Sequence, residues 1–266
     1  MPNALADPLF YSRKLIALAV LQQALELLAL RPIYSPSGIW RWQDVRLDFS
    51  FLPPPARMCL DRVLDYPAFV GLLLLQALVS AYVLLVSDPS VFATLFLLFG
   101  CIVTAARWRG TVNGGADSMT VLVLTAVSLG SCDTPGGTLY RFSLWYLALQ
   151  LALSYFVAGV VKLRSADWRA GLALPAFISH PPYEAPNKLQ ALLRSRFWAV
   201  AASWSVIGFE LLFPIAFFGE IAALTMLLIA FTFHLANCYA FGLNRFLLAW
   251  ASAYPVVYYC AGSGLR

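Results

Sequence analysis

The chain has 266 residues, of which 61% are apolar and 12% charged, and its mean hydropathy is +0.76. Soluble domains hold about 45–50% apolar residues, so a chain this oily needs lipid as the solvent for much of its surface. The net charge of +5 is spread over several loops with no basic block set among aromatics, which leaves no nucleic-acid partner in prospect. The five cysteines include no CxxC and no Cys–His spacing of a metal site, so no metal is expected.

Residues 15–30 form the first membrane candidate, preceded by Arg13 and Lys14. Gln22 and Glu26 share one helical face, and a carboxylate there needs either a partner helix or an aqueous pocket. No small-residue cleavage site follows, so the segment reads as a helix rather than a removable signal. Residues 31–66 are a long polar connection whose FLPPP precludes a continuous helix. Its Trp40, Trp42, Phe49 and Phe51 suit the head-group layer. Spanning helices are predicted over 68–86 and 91–106, joined by a turn at 87–90 that is short enough only for an antiparallel hairpin.

In 107–119, Asn113, Gly114 and Gly115 predict a turn, and Asp117 or Ser118 is placed to cap the helix that follows. Residues 119–130 are either a short crossing or a half-helix buried in protein. After a turn region at 131–138, the apolar run 142–161 spans and delivers Lys162. A second long connection, 164–196, leads to spans over 197–218, 220–239 and 245–260. The expectation is an all-α integral membrane protein, a polytopic helical bundle of about eight (seven to eight) transmembrane helices in one membrane domain, 1–266. Counted over eight crossings, Lys and Arg concentrate in the odd-numbered loops, which the positive-inside rule places in the cytoplasm.

Lys162 ends a long hydrophobic segment, so it is either a snorkelling anchor or an inward-facing base whose charged form is disfavoured by desolvation. Ala158 and Gly159 thin the helix one turn before it and let a ligand or a neighbouring helix approach. Glu210 lies mid-membrane, four residues before Pro214, which cannot donate to the Glu210 carbonyl. The kink and the carboxylate therefore coincide, as a structural feature or as a proton-handling site. His234 and Asn237, three residues apart, share a helical face and serve either as a hydrogen-bond tie or as ligands to substrate. His180, in a proline-stiffened loop, reads as a surface feature.

The stretch YFVAGVVKLRSADWRAG at 155–171, VNGGADSM at 112–119, the Glu210–Pro214 pair and HLANCYAFGLNRFLLAWASAYP at 234–255 together resemble the HTTM membrane domain, over nearly the whole chain. That domain is shared with vitamin K-dependent gamma-glutamyl carboxylase and with short bacterial relatives. The resemblance implies that Lys162 is the catalytic base that deprotonates a hydroquinone. Asn113, Asp117, Trp168, Glu210, His234 and Asn237 are expected to bind substrate or cofactor. The cofactor it implies is reduced menaquinone or a vitamin K-like hydroquinone, and the setting a multi-pass protein of a bacterial-type plasma membrane. The carboxylases carry a large extramembrane domain after the helices. This chain stops at Arg266, so carboxylation of glutamate in a protein is not expected. Partners are membrane lipids and a peptide or protein substrate or a separate subunit. The alternative function is a non-catalytic membrane partner in peptide maturation or export. In the carboxylase the lysine side is lumenal, which would place the odd loops outside, against the charge count.

Overall fold

Asp7 accepts a hydrogen bond from the Leu9 amide at 2.9 Å, and Pro8 fills the first helical position, so helix α1 (Pro8–Ala29) starts sharply. The computed structural model describes residues 7–108, 114–180 and 185–263, and their regular structure is entirely helical. After α1 come α2 (Trp42–Val45), α3 (Pro54–Leu64), α4 (Tyr66–Leu85), α5 (Val91–Trp108), α6 (Gly114–Gly130) and α7 (Thr138–Arg164). The short α8 (Ala166–Arg169), α9 (Ala173–Ile178) and α10 (Asn187–Leu193) lead to α11 (Arg196–Leu212), which runs on as a 3-10 helix through Phe218. The order closes with α12 (Glu220–Phe241), α13 (Asn244–Ala251) and α14 (Tyr254–Ser263).

Among the described residues, five helices are long and apolar enough to cross a membrane, rather than the seven or eight expected: α4, α5, α7, α11 with its 3-10 extension, and α12. Each missing crossing has a physical reason. The helix α1 carries Arg13, Lys14 and Glu26, and it packs between α4, α6, α13 and α14. The helix α6 is a short apolar helix whose side chains are largely buried in protein, the half-helix alternative for 119–130. The stretch read as a single span over 245–260 is broken at Ser252–Ala253 into α13 and α14, two short pieces. Both break residues are fully buried, and the Ser252 hydroxyl donates to the Ala249 carbonyl at 2.6 Å. Broken backbone at membrane depth is tolerated when protein covers it.

The architecture follows from that division. The apolar helices form the outside, where Leu78, Leu85, Phe92, Phe218 and Ile221 stand exposed. The polar helices α1, α6 and α13 sit inside and touch one another. Hydropathy reads lipid contact rather than depth, so it finds the shell and passes over the centre. Polar ties fix the centre to the shell. The Lys14 ammonium donates to the Val83 carbonyl at 2.6 Å and also to those of Leu84 and Val86, filling acceptors that α4 leaves free at its C-terminus. Around the 31–64 connection, Arg107 lies among Tyr34, Trp42 and Phe69, and its guanidinium donates to the Trp40 carbonyl at 2.6 Å. The aromatics expected in the head-group layer are therefore partly turned inward, with Trp42 buried and Phe51 exposed.

The closest approach that matters for function is between α7 and α11. A Cβ on Gly159 would lie 2.8 Å from the Leu211 amide nitrogen and 3.0 Å from the Glu210 Cβ. Gly159→Ala is expected to push the two helices apart and cost about 1–3 kcal/mol of stability. Gly71→Ala, in open space on α4, should melt at or above the wild-type temperature. Thermal unfolding of the two variants in detergent checks the contrast.

Candidate functional site

Three features of the local sequence bring Lys162 to Glu210. Gly159 lets α7 meet α11 backbone to side chain. Pro214 ends regular α-helix at Leu212 and turns the chain into a 3-10 segment, Phe213–Phe218, just past the carboxylate. Lys162 lies in the last turn of α7, where a cation also complements the helix dipole. The result is a bifurcated contact: the Lys162 ammonium donates to both Glu210 carboxylate oxygens at 2.7 Å. The Lys162 side chain is 19% exposed and that of Glu210 only 4%. Lys162 therefore turns inward rather than out to the interface, as one half of a mostly buried ion pair.

Trp168 reaches this pair through a bend. Gly171 has φ +72, and a Cβ there would strike Val200 at 2.7 Å, so only glycine lets the chain turn against α11 at this point. The Trp204 indole then donates to the Arg169 carbonyl at 3.2 Å and holds α8 in place. With the turn fixed, the Trp168 ring lies 5.2 Å from the Lys162 ammonium, at cation–π range.

Lys162 and Trp168 border a cavity of about 610 Å³ between α11 and α12 on one side and α9 and α10 on the other. That volume falls within the ~300–1,000 Å³ of small-molecule sites. Its walls are mainly apolar, with Phe177, Leu189 and Phe233 among them, and Ser205 and Asn237 add polar groups. An acid and a base in contact beside an apolar, aromatic-walled space can accept a proton from a bound hydroxyl and pass one between themselves.

The other expected site residues divide. Asn237 lines the cavity, whereas His234, three residues earlier, faces away from it into the bundle. His234 is 2% exposed, with its Nε2 2.8 Å from the Tyr155 hydroxyl, which lies 3.3 Å from the Tyr254 hydroxyl. Phe233 borders the cavity on one side and meets His234 at 5.1 Å between ring centroids on the other, so it separates the two. Phe246 and Trp250 close the His234 box. Tyr155 and Tyr254 were not singled out from the sequence; Tyr155 does open the 155–171 motif, which was the available signal.

Asp117 belongs to a second polar centre. It sits in the first turn of α6, and its carboxylate accepts from the Arg245 guanidinium of α13 and from the Gln23 amide of α1 at 3.0 Å. From Gln23 the chain of contacts continues through Cys101 at 3.7 Å to Gln76 at 3.8 Å and then to Thr104 at 3.3 Å. Asp117 is thus a tie between inner helices rather than a group presented to the cavity. Gln22 and Glu26, the pair expected to need a partner, satisfy each other at 2.7 Å. Asn113 lies outside the described residues. Among the described residues, no three His, Cys, Asp or Glu side chains gather as a metal site would require.

The HTTM domain family matches residues 127–261. That range holds Lys162, Trp168, Glu210, His234, Asn237 and Arg245, while the 112–119 motif, with Asn113 and Asp117, falls before it. No curated protein and no solved structure matches the chain.

Because Asp117 and Arg245 are both buried, removing one charge strands the other. Arg245→Ala is expected to cost about 3–5 kcal/mol, and a double Asp117→Asn, Arg245→Gln variant to recover much of that. Melting temperatures of the single and double variants in one detergent measure the coupling; additive losses would mean that the pair is not the tie described.

Proposed function

The chain belongs to the HTTM domain family, and from that premise we propose that it is a membrane enzyme that binds a lipid-soluble hydroquinone beside Lys162 and removes the proton of its hydroxyl. The observation that carries this reading is the Lys162–Glu210 pair at the edge of an apolar, aromatic-walled cavity. The residues fit such a group. Trp168, Phe177 and Phe233 offer flat walls for a ring, and the ion pair offers a single place where a hydroxyl can lose a proton. Lys162 also occupies the position that the resemblance to the vitamin K-dependent carboxylases assigns to the base.

The geometry changes how that base works. Because Lys162 donates to both Glu210 oxygens, the carboxylate is the place where its proton can go. One Lys162 N–H proton first passes to a Glu210 oxygen 2.7 Å away, and the amine lone pair that this frees then takes the proton of the bound hydroxyl. The proton ends on Glu210, and the ammonium stays beside the anionic oxygen left behind. Lys162 is the group that touches the hydroxyl; Glu210 is the proton store. Trp168 holds the ammonium in place through its ring face.

The test is oxidation of a reduced, prenylated naphthoquinone by dissolved oxygen, measured with purified protein in nanodiscs. Lys162→Ala and Glu210→Gln are each expected to lower turnover, by about 10²–10⁴-fold for loss of a positioned acid–base group, with binding of the oxidised quinone changed far less. Equal turnover by wild type and Lys162→Ala would remove Lys162 from the chemistry.

A second reading has an observation of its own. Both Glu210 oxygens are already engaged by Lys162, as in a pair whose task is to join α7 to α11 within a non-catalytic partner for peptide maturation or export. Replacing both residues by methionine then leaves a stable protein with undiminished maturation activity.

A further inference from the structure

The segment that supplies much of the cavity wall carries a charge pattern of which the proposed reaction uses only Lys162. Between residues 162 and 196 the sequence holds six basic residues, Lys162, Arg164, Arg169, Lys188, Arg194 and Arg196, against two acidic ones, Asp167 and Glu184. All but Lys162 of the basic set are exposed. Among the described residues none of those five is paired with a carboxylate; Arg169 donates instead to the Leu163 carbonyl at 2.6 Å. Their positions follow the cavity. Lys188 precedes the lining residue Leu189, Arg194 follows Leu193, Arg196 lies two residues before Trp198, and Arg169 follows Trp168.

The mouth of the cavity is fringed with aromatic side chains. Phe197 and Trp198 are exposed at the start of α11, and Trp198 lines the cavity, the composition of a helix segment at the level of lipid head groups. Leu189, Leu192 and Leu193 of α10 line the cavity and lie next in sequence to Lys188 and Arg194. An occupant of this mouth must therefore present an anion at the rim and a hydrocarbon chain beneath it. A free phosphate has no apolar part to bury. An extended peptide would lose water from backbone groups that leucine walls do not satisfy.

We propose that the mouth holds an anionic phospholipid of the surrounding leaflet, its phosphate against Lys188, Arg194 and Arg196 at the α10–α11 end and one acyl chain in the outer part of the cavity. This site does not rest on the reaction proposed above. Lining residues on α11 run inward from Trp198 to Val206, about 12 Å at 1.5 Å per residue, which separates the rim from the Lys162 end. A resident lipid there supplies one wall of the inner space and sets which molecules pass from the bilayer to Lys162.

The test uses the full chain in detergent with equal amounts of phosphatidylglycerol and phosphatidylcholine of identical acyl chains, and native mass spectrometry to count the lipid retained. Wild type is expected to keep one phosphatidylglycerol in preference to phosphatidylcholine, and an excess of inorganic phosphate should not displace it. Lys188→Gln and Arg194→Gln, both on exposed side chains, should each weaken retention roughly fivefold. Ala202→Trp, which fills the cavity and leaves every charge in place, should weaken it as well. Lys162→Ala should retain the lipid as wild type does, so that loss of turnover in that variant concerns the reaction alone. Equal retention of the two lipids, displacement by phosphate, or undiminished retention in Ala202→Trp would each overturn the proposal, the last by reducing the effect to diffuse surface charge.

Discussion

A polar side chain within hydrocarbon must find its partner inside the protein, because the surrounding lipid offers none. The whole arrangement follows from that constraint. Arg13, Gln23, Gln76, Arg107, Asp117, Glu210, His234 and Arg245 are all buried, while leucine and phenylalanine stand on the outside. Arg13, Gln23, Asp117 and Arg245 belong to the inner helices α1, α6 and α13, whereas α4, α5, α11 and α12 turn Gln76, Arg107, Glu210 and His234 inward and keep their apolar faces outside. The fold is organised as an apolar casing around hydrogen-bonded centres rather than as equivalent spans side by side.

Two of those centres differ in kind. The Asp117–Arg245–Gln23 cluster is closed on itself, with protein on every side. The Lys162–Glu210 pair instead has one face on open space, the cavity, with Trp168 across from it. A closed cluster can only join helices. A pair with an open side can also exchange a proton with something that enters, and the proposed function rests on this difference. His234 belongs with the closed type, since Phe233 and Trp250 stand around it and its hydrogen bond runs inward to Tyr155.

Much of this was legible in the residues. The small step Ala158–Gly159, the kink at Pro214 and the turn at Gly171 each imply a close approach or a bend, and each occurs. The pairing of Lys162 with Glu210 was not legible. Both residues stood out separately, but a single sequence gives no account of which helices are neighbours when they are 48 residues apart. The helix count went astray for a related reason. Apolar length marks a helix that touches lipid, and α1, α6 and the broken pair α13–α14 touch mainly protein. Arg245, the first residue of the span expected over 245–260, is instead buried against Asp117 in the first turn of the short helix α13. Asn237 and His234 share the spacing of one helical face, yet a single aromatic, Phe233, is enough to place them in different environments.

The inner cluster also bears on how the chain is assembled. Gln23 and Asp117 are separated by 94 residues, and Asp117 and Arg245 by 128. During synthesis α1 therefore enters the membrane with its amide unmatched, and Asp117 follows long before its guanidinium partner exists. Until α13 arrives, the Asp117 side chain of α6 lacks the guanidinium that it meets in the folded chain. Of the cluster's three members Gln23 is made first, Asp117 next and Arg245 last, so the cluster is complete only once α13 has emerged.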